Sequence, residues 1–213
     1  MKNVNTFLVS AVLAVAVSAC GSGGAKKTTP SETRQMDETT LAAQPGSGEK
    51  IMTLITGNDA LRFCLRGSGT ATIVWGNEKE TAELAEDEFE WFTLAIPNIS
   101  ARTVTLSGEI TGFECEWGGI TELDVSRNTA LTDLSMGVNQ LKSLDVSKNT
   151  ALKSLHIKAN QFTAAALNDL FGTLHNKGGI INIAYNPGVD DCNISMAEAK
   201  GWEVLIVEPE YYD

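Results

Sequence analysis

His156 and His175 are the only imidazoles in the 213-residue chain, so any Ser/His/Asp triad would have to use one of them. Neither stands in a nucleophile motif: His175 is followed by Asn176-Lys177-Gly178, and His156 sits inside a repeated apolar pattern. Carboxylates are more plentiful. Residues 78–90 carry seven acids (Glu78, Glu80, Glu83, Glu86, Asp87, Glu88, Glu90) and one base, and Asp190 and Asp191 form an adjacent pair. Two carboxyls at a fixed separation can act as general acid and base on a glycosidic bond, so these groups define an alternative reading as an accessory or hydrolytic enzyme. The acidic run lacks the D-x-D-x-D-G spacing of a calcium loop and is better read as a solvated charged face. Clustered His and Cys ligands are absent as well, so neither a metal nor a cofactor is expected. A further array recurs at Asp124 and Asp145, Ser126 and Ser147, and Arg127 and Lys148. Its regular period suits hydrogen bonding between stacked repeats better than chemistry. The expectation is a protein without catalysis.

Cysteine chemistry points elsewhere. Met1 to Cys20 reads MKNVNTFLVSAVLAVAVSAC, with a basic start, an apolar run from Phe7 to Val17 and small residues before the cysteine. That is the layout of a secretory leader, residues 1–19, too short for a permanent membrane span of about 20 residues. Val17-Ser18-Ala19-Cys20 resembles a bacterial lipobox, which makes Cys20 the expected lipidation site and the membrane anchor. Gly21 carries no inner-membrane retention signal of the Asp type, which by resemblance favours the outer membrane; the cell surface and the periplasmic side both remain open. Cys64, Cys115 and Cys192 then remain in an oxidising compartment, and an odd number leaves at least one thiol unpaired in a monomer. Residues 20–49, rich in Gly, Ser, Thr and charge, read as a disordered tether with a reach of about 30 Å.

Twenty-seven acidic against sixteen basic residues give a net charge of -11, which opposes binding to the phosphate backbone and excludes nucleic acid as a partner. From Ile51 short runs, IMTLIT, LRFCLR and TATIVW, alternate in the manner of strands, with Gly57-Asn58-Asp59 and Gly67-Ser68-Gly69 between them. Leu61, Phe63 and Leu65 fall on one face of LRFCLR, and Arg62, Cys64 and Arg66 on the wetter one. Trp75-Gly76-Asn77 reads as a turn, and strands are favoured for the sequence that follows it. Residues 50–109 are therefore expected to form a small β-rich unit.

From Ile110 the chain repeats itself: ITGFECEWGG, ITELDVSRNTA, LTDLSMGVNQ, LKSLDVSKNTA, LKSLHIKANQ. Ten- and eleven-residue units alternate, and the L-x-x-L-x-L-x-x-N pattern recurs with its asparagine. Each L-x-L is a short strand with two side chains inward, so Leu134 and Met136 should stack between Phe113 and Cys115 on one side and Leu155 and Ile157 on the other. Asn139 and Asn160 stand where their amides can serve buried loop groups.

These segments resemble the bacterial leucine-rich-repeat lipoproteins with nested 21-residue repeats of the form LxxLDVSxNTALxxLxCxxNQ. LDVSRNTALTDL, LDVSKNTALKSL, GTATIVWG, VTLSGEITGFEC, YNPGVDDC and KGWEV carry the resemblance; Gly118, in place of the ladder asparagine, and Met136 and Ile157, where cysteine is frequent, depart from it. The resemblance implies a cell-envelope binding protein.

After the repeats of residues 110–162, residues 163–213 are expected to hold a last rung and a cap. Thr163 can cap a helix with Leu167, Leu170, Phe171 and Leu174 on one stripe, ended by Gly178-Gly179; Ile181 to Asn186 repeats the rung signature; Ser195 to Lys200 should be helical; and Trp202, Val204 and Ile206 read as an edge strand. The expected fold is thus a β-rich α+β chain: a short leucine-rich-repeat solenoid with a small N-terminal β-rich unit and a C-terminal helix-containing cap. Its solvent-facing rows would be Glu114, Ser135, His156 and Asn182; Glu116, Gly137, Lys158 and Ala184; and Trp117, Val138, Ala159 and Tyr185. Surface aromatics beside a shallow mixed-charge strand face suit a protein or glycan ligand. The same aromatics could instead pack under the N-terminal unit and the C-terminal turn, and a purely structural envelope role stays open.

Overall fold

The computed structural model describes residues 49–96 and 102–206. The leader, the expected lipidation site Cys20 and nearly all of the tether lie outside the described residues.

Alternating burial defines the first strand, β1 (Ile51–Thr56), in which Met52 and Leu54 are fully buried while Thr53 and Ile55 face the other way. LRFCLR and TATIVW do not form two strands. They belong to one sixteen-residue strand, β2 (Ala60–Trp75), whose register against its neighbour shifts at Arg66/Gly67 and again between Ser68 and Thr72. Gly67 is there for close approach, since a Cβ on it would lie 2.0 Å from the Glu109 carbonyl oxygen. Gly76 and Asn77 turn β2 into β3 (Glu78–Leu84), and β4 (Glu90–Ala95) returns along the other half of β2. The acidic run is thus largely strand, with most of its carboxylates exposed.

β5 (Thr103–Glu114) joins two kinds of pairing. Its first half is antiparallel to β1, which in turn pairs with β6 (Ile120–Asp124); residues Gly112–Glu114 pair in parallel with β7 (Asp133–Ser135). Parallel pairing continues through β8 (Ser154–His156), β9 (Gly179–Asn182) and β10 (Trp202–Leu205). β5 also crosses position 109, where the β-rich unit and the repeats were expected to meet.

The expected solenoid with a helix-containing cap is therefore corrected: the chain builds one mixed ten-stranded sheet. Two physical reasons account for the difference. The backbone edge of β5 that a first repeat would leave open is filled by β2 in antiparallel register, which merges the two expected units into one sheet. The helices, moreover, are crossovers. Parallel neighbours need a connection over one face, and α1 (Ala164–Thr173) lies between β8 and β9 while α2 (Ser195–Glu198) lies between β9 and β10. The outer end of the sheet is a strand, β10.

Within α1, Thr163 accepts the Ala166 amide as N-cap, and Leu167, Leu170 and Phe171 face the core. The helix stops at Thr173, ahead of the expected Gly178-Gly179, because Lys200 donates to the carbonyls of Phe171, Gly172 and Leu174 at 2.8, 2.6 and 2.7 Å. Gly178, at φ +75°, instead lets the chain pass Gly201, whose carbonyl oxygen would be 2.6 Å from an added Cβ.

One apolar core runs through both pairing regimes. Phe63 stacks on Phe92 at 5.3 Å and meets the edge of Phe113 at 5.9 Å, and from Phe113 the register passes through Leu134, Leu155 and Ile181, all buried. Each such side chain contributes about 1.5–3 kcal/mol on burial.

Candidate functional site

Every other residue of the rungs faces away from this core. The register aligns Glu114, Ser135, His156 and Asn182, and pairing through β2 extends the row to Cys64 and Trp91. Glu114, Ser135 and His156 are half-buried and open to solvent. Asn182 is buried, with its Oδ1 accepting the Ala184 amide at 3.0 Å, so it supports the backbone rather than offering a contact.

Lys158 and Glu116 form an ion pair at 3.8 Å. It passes over Gly137, where a Cβ would come within 2.9 Å of Glu116 Oε1 and 3.0 Å of Lys158 Cε. Trp117, Val138, Ala159 and Tyr185 share an unusual backbone: all four are left-handed, with φ of 58°, 53°, 50° and 59°. Non-glycine residues pay about 1–2 kcal/mol for this conformation, and β-branched Val138 is the least suited.

For Val138, Ala159 and Tyr185 the cause lies one residue further on, at an asparagine; Trp117 is followed by Gly118, and its carbonyl accepts from Asn58 Nδ2 at 3.2 Å. Asn139 Nδ2 donates to the carbonyls of Cys115, Met136 and Gly137 at 2.7, 3.1 and 3.1 Å, and its Oδ1 accepts the Ile120 amide at 2.9 Å. Asn160 does the same for Met136, Ile157, Lys158 and the Leu141 amide, and Asn186 for Ile157, Ile183 and the Phe162 amide. Drawing the amide inward turns the preceding residue outward. At each end of this row stands an exposed aromatic: Trp117 is 73 % and Tyr185 67 % accessible. Neither ring is packed beneath the N-terminal unit or the C-terminal turn.

Residues that sequence reasoning left out complete the face. Arg62 stacks over Trp91 at 4.4 Å, and Trp91 is 54 % exposed. Arg66 lies 4.9 Å over the Phe89 ring and pairs with Asp133; Phe89 in turn covers Gly112, where a Cβ would meet its ring at 3.1 Å. Together with Phe113, Glu114, Ser135 and His156, Phe89 and Asp133 border a shallow hollow of about 230 Å³. Alternation in β2 put Arg62 and Arg66 on the wetter face, but nothing in the sequence says that β2 and β4 continue the rungs.

A second concavity, about 810 Å³, opens beside β6, beyond Asn139 and Asn160, bordered by Ile55, Leu123, Gln140, Lys142, Leu144 and Gln161. Next to it Asp124 and Asp145 accept the amides of Ser126 and Ser147 at 2.9 and 2.8 Å. These bonds close single turns. The link between repeats expected of them is made instead by Asn149 Nδ2, which donates to the carbonyls of Val125 and Asn128 at 3.0 and 2.7 Å, and by Asn128 Nδ2 to that of Ile110 at 3.0 Å. Hydrogen bonding to Ser147 also holds the Asp145 carboxyl below its ordinary range.

Burial, then the Glu114 carboxylate, pushes the Cys64 thiol up to about 12, and burial pushes Cys115 to about 12; Cys192 is also raised by burial. Such thiols stay protonated and are poor nucleophiles near neutral pH. All three are free. His175 spends both ring nitrogens locally, on the Leu152 carbonyl at 2.7 Å and the Lys177 amide at 3.2 Å, with its ring against Trp202. Asp190 and Asp191 lie exposed in a turn. Among the described residues no group of three or more His, Cys, Asp or Glu could hold a metal ion, and no helix is long and apolar enough to cross a membrane. No protein-family model, curated protein or solved structure matches the chain.

Proposed function

We propose that this chain is a lipid-anchored protein of the bacterial cell envelope that binds a protein or glycan on its outward sheet face and does not turn it over. The observation that carries the reading is the pair Trp117 and Tyr185, large apolar rings held in solvent by a backbone conformation that costs free energy. Val138 and Ala159 share that backbone, so what marks the two ends of the row is the placing of a large ring there and its exposure to solvent. The lipobox ending at Cys20 and the resemblance to leucine-rich-repeat lipoproteins support the envelope location, with anchorage in the outer membrane.

The test compares the wild-type chain with a variant carrying Trp117→Ala, His156→Ala and Tyr185→Ala, checked for an unchanged melting profile, in envelope pull-downs and on glycan arrays. The expected result is selective capture by the wild type and its loss in the variant. Equal capture by both discards this face.

A further inference from the structure

Resting on that reading of the face, we infer that its occupant is a neutral oligosaccharide laid across the strands and stacked on Trp117 and Tyr185. Three rung-to-rung steps separate these rings, Trp117 to Val138 to Ala159 to Tyr185, which at the spacing of neighbouring strands is about 14 Å. Between them the floor is low, formed by the half-buried Val138 and Ala159. A single sugar ring cannot reach both aromatics. A short chain of them can, with its apolar C–H faces against the negative faces of the rings.

Charge selects for an uncharged ligand. The chain as a whole carries -11, but the face itself holds three bases, Arg62, Arg66 and Lys158, and three acids, Glu114, Glu116 and Asp133. Lys158 is matched to Glu116, Arg66 to Asp133, and Arg62 is spread over Trp91. A polyanion meets the repulsion of Glu114 and of the chain's net charge of -11, and a polycation finds Glu116 and Asp133 already compensated. Hydroxyl groups, in contrast, find Ser135, His156 and the Glu116 carboxylate as hydrogen-bonding partners beside the aromatic row. Asn186, next to Tyr185, and Asn58, which donates to the Trp117 carbonyl, fix the backbone of the two rings in advance, which lowers the ordering cost of binding a flexible ligand.

The experiment is affinity electrophoresis of the full chain in non-ionic detergent through gels containing a soluble neutral glucan, mannan or galactan, with polygalacturonate as the anionic comparison. At least one neutral polymer is expected to retard the chain. Trp117→Ala and Tyr185→Ala should each weaken that retardation about tenfold, Trp117→Phe should restore part of it, and Met196→Ala, an exposed apolar change on α2, should leave it intact. Retardation by none of the neutral polymers, by polygalacturonate alone, or equally in the two alanine variants overturns the inference. If a protein partner is captured through Trp117 and Tyr185 while no neutral polymer binds, the sugar assignment falls and the face stands; if neither binds through these rings, both fall.

Discussion

Two asparagine ladders hold the repeated half together, and they are not equally complete. On the side of the outward face, Asn139, Asn160 and Asn186 each use both ends of the amide, Nδ2 to two or three carbonyls and Oδ1 to a backbone amide. At the other turn of each repeat, Asn128 and Asn149 donate through Nδ2, while their buried Oδ1 atoms accept no hydrogen bond among the described residues. A buried amide with one end unmatched forfeits part of what its other end contributes. The comparison teaches where the chain has invested rigidity: under the row that carries Trp117 and Tyr185.

The largest expected effect is therefore asymmetric. Asn160→Ala removes donations to three carbonyls that keep other donors and leaves the buried Leu141 amide without its acceptor, which should cost about 2–4 kcal/mol, whereas Asn149→Ala strands no amide and should cost about 1–2 kcal/mol. Equilibrium urea unfolding of the two variants measures the gap, and equal losses would erase the distinction between the ladders. Next in size is the alkaline limb. Cys64 and Cys115 keep their protons up to about 12 in the folded chain, against 9.0 ordinarily. Their contribution is fully present below pH 9 and is lost as pH rises from there towards 12. A Cys64→Ala, Cys115→Ala variant should lose stability less steeply across that window than the wild type, and parallel pH profiles of melting temperature would contradict the shift. The smallest effect tests the strain itself: Val138→Gly relieves a β-branched residue at φ 53° and should stabilise the fold by about 0.5–1 kcal/mol, net of the entropy glycine brings to the unfolded chain.

What could be read from the sequence follows the same divide between local and distant pairing. The rungs were legible because their signal is short-range: inward positions two residues apart, repeated at a fixed period, place Leu134 against Phe113 and Leu155, and the row from Glu114 to Asn182 follows from that register. Thr163 announced its helix in the same local way. The antiparallel pairing of β2 with β5 joins residues as far as fifty positions apart, at Cys64 and Glu114, and no periodicity encodes it. For that reason the pattern alone reads as two separate units, with the glycines at 67 and 69 as a break between strands and the helices as part of a cap. The candidate site divides likewise, with Trp117, His156, Lys158 and Tyr185 visible in the repeat and Trp91, Phe89 and Arg66 reaching the face only through the sheet.

The most direct test sets the outward face against the larger groove. Binding of the wild-type chain to its envelope or glycan ligand should be compared with that of a face variant, Trp117→Ala with Tyr185→Ala, and a groove variant, Gln140→Ala with Lys142→Ala and Gln161→Ala. Loss in the face variant with full retention in the groove one is the predicted result; retention in the face variant with loss in the groove one would contradict the assignment of the outward sheet face as the binding surface.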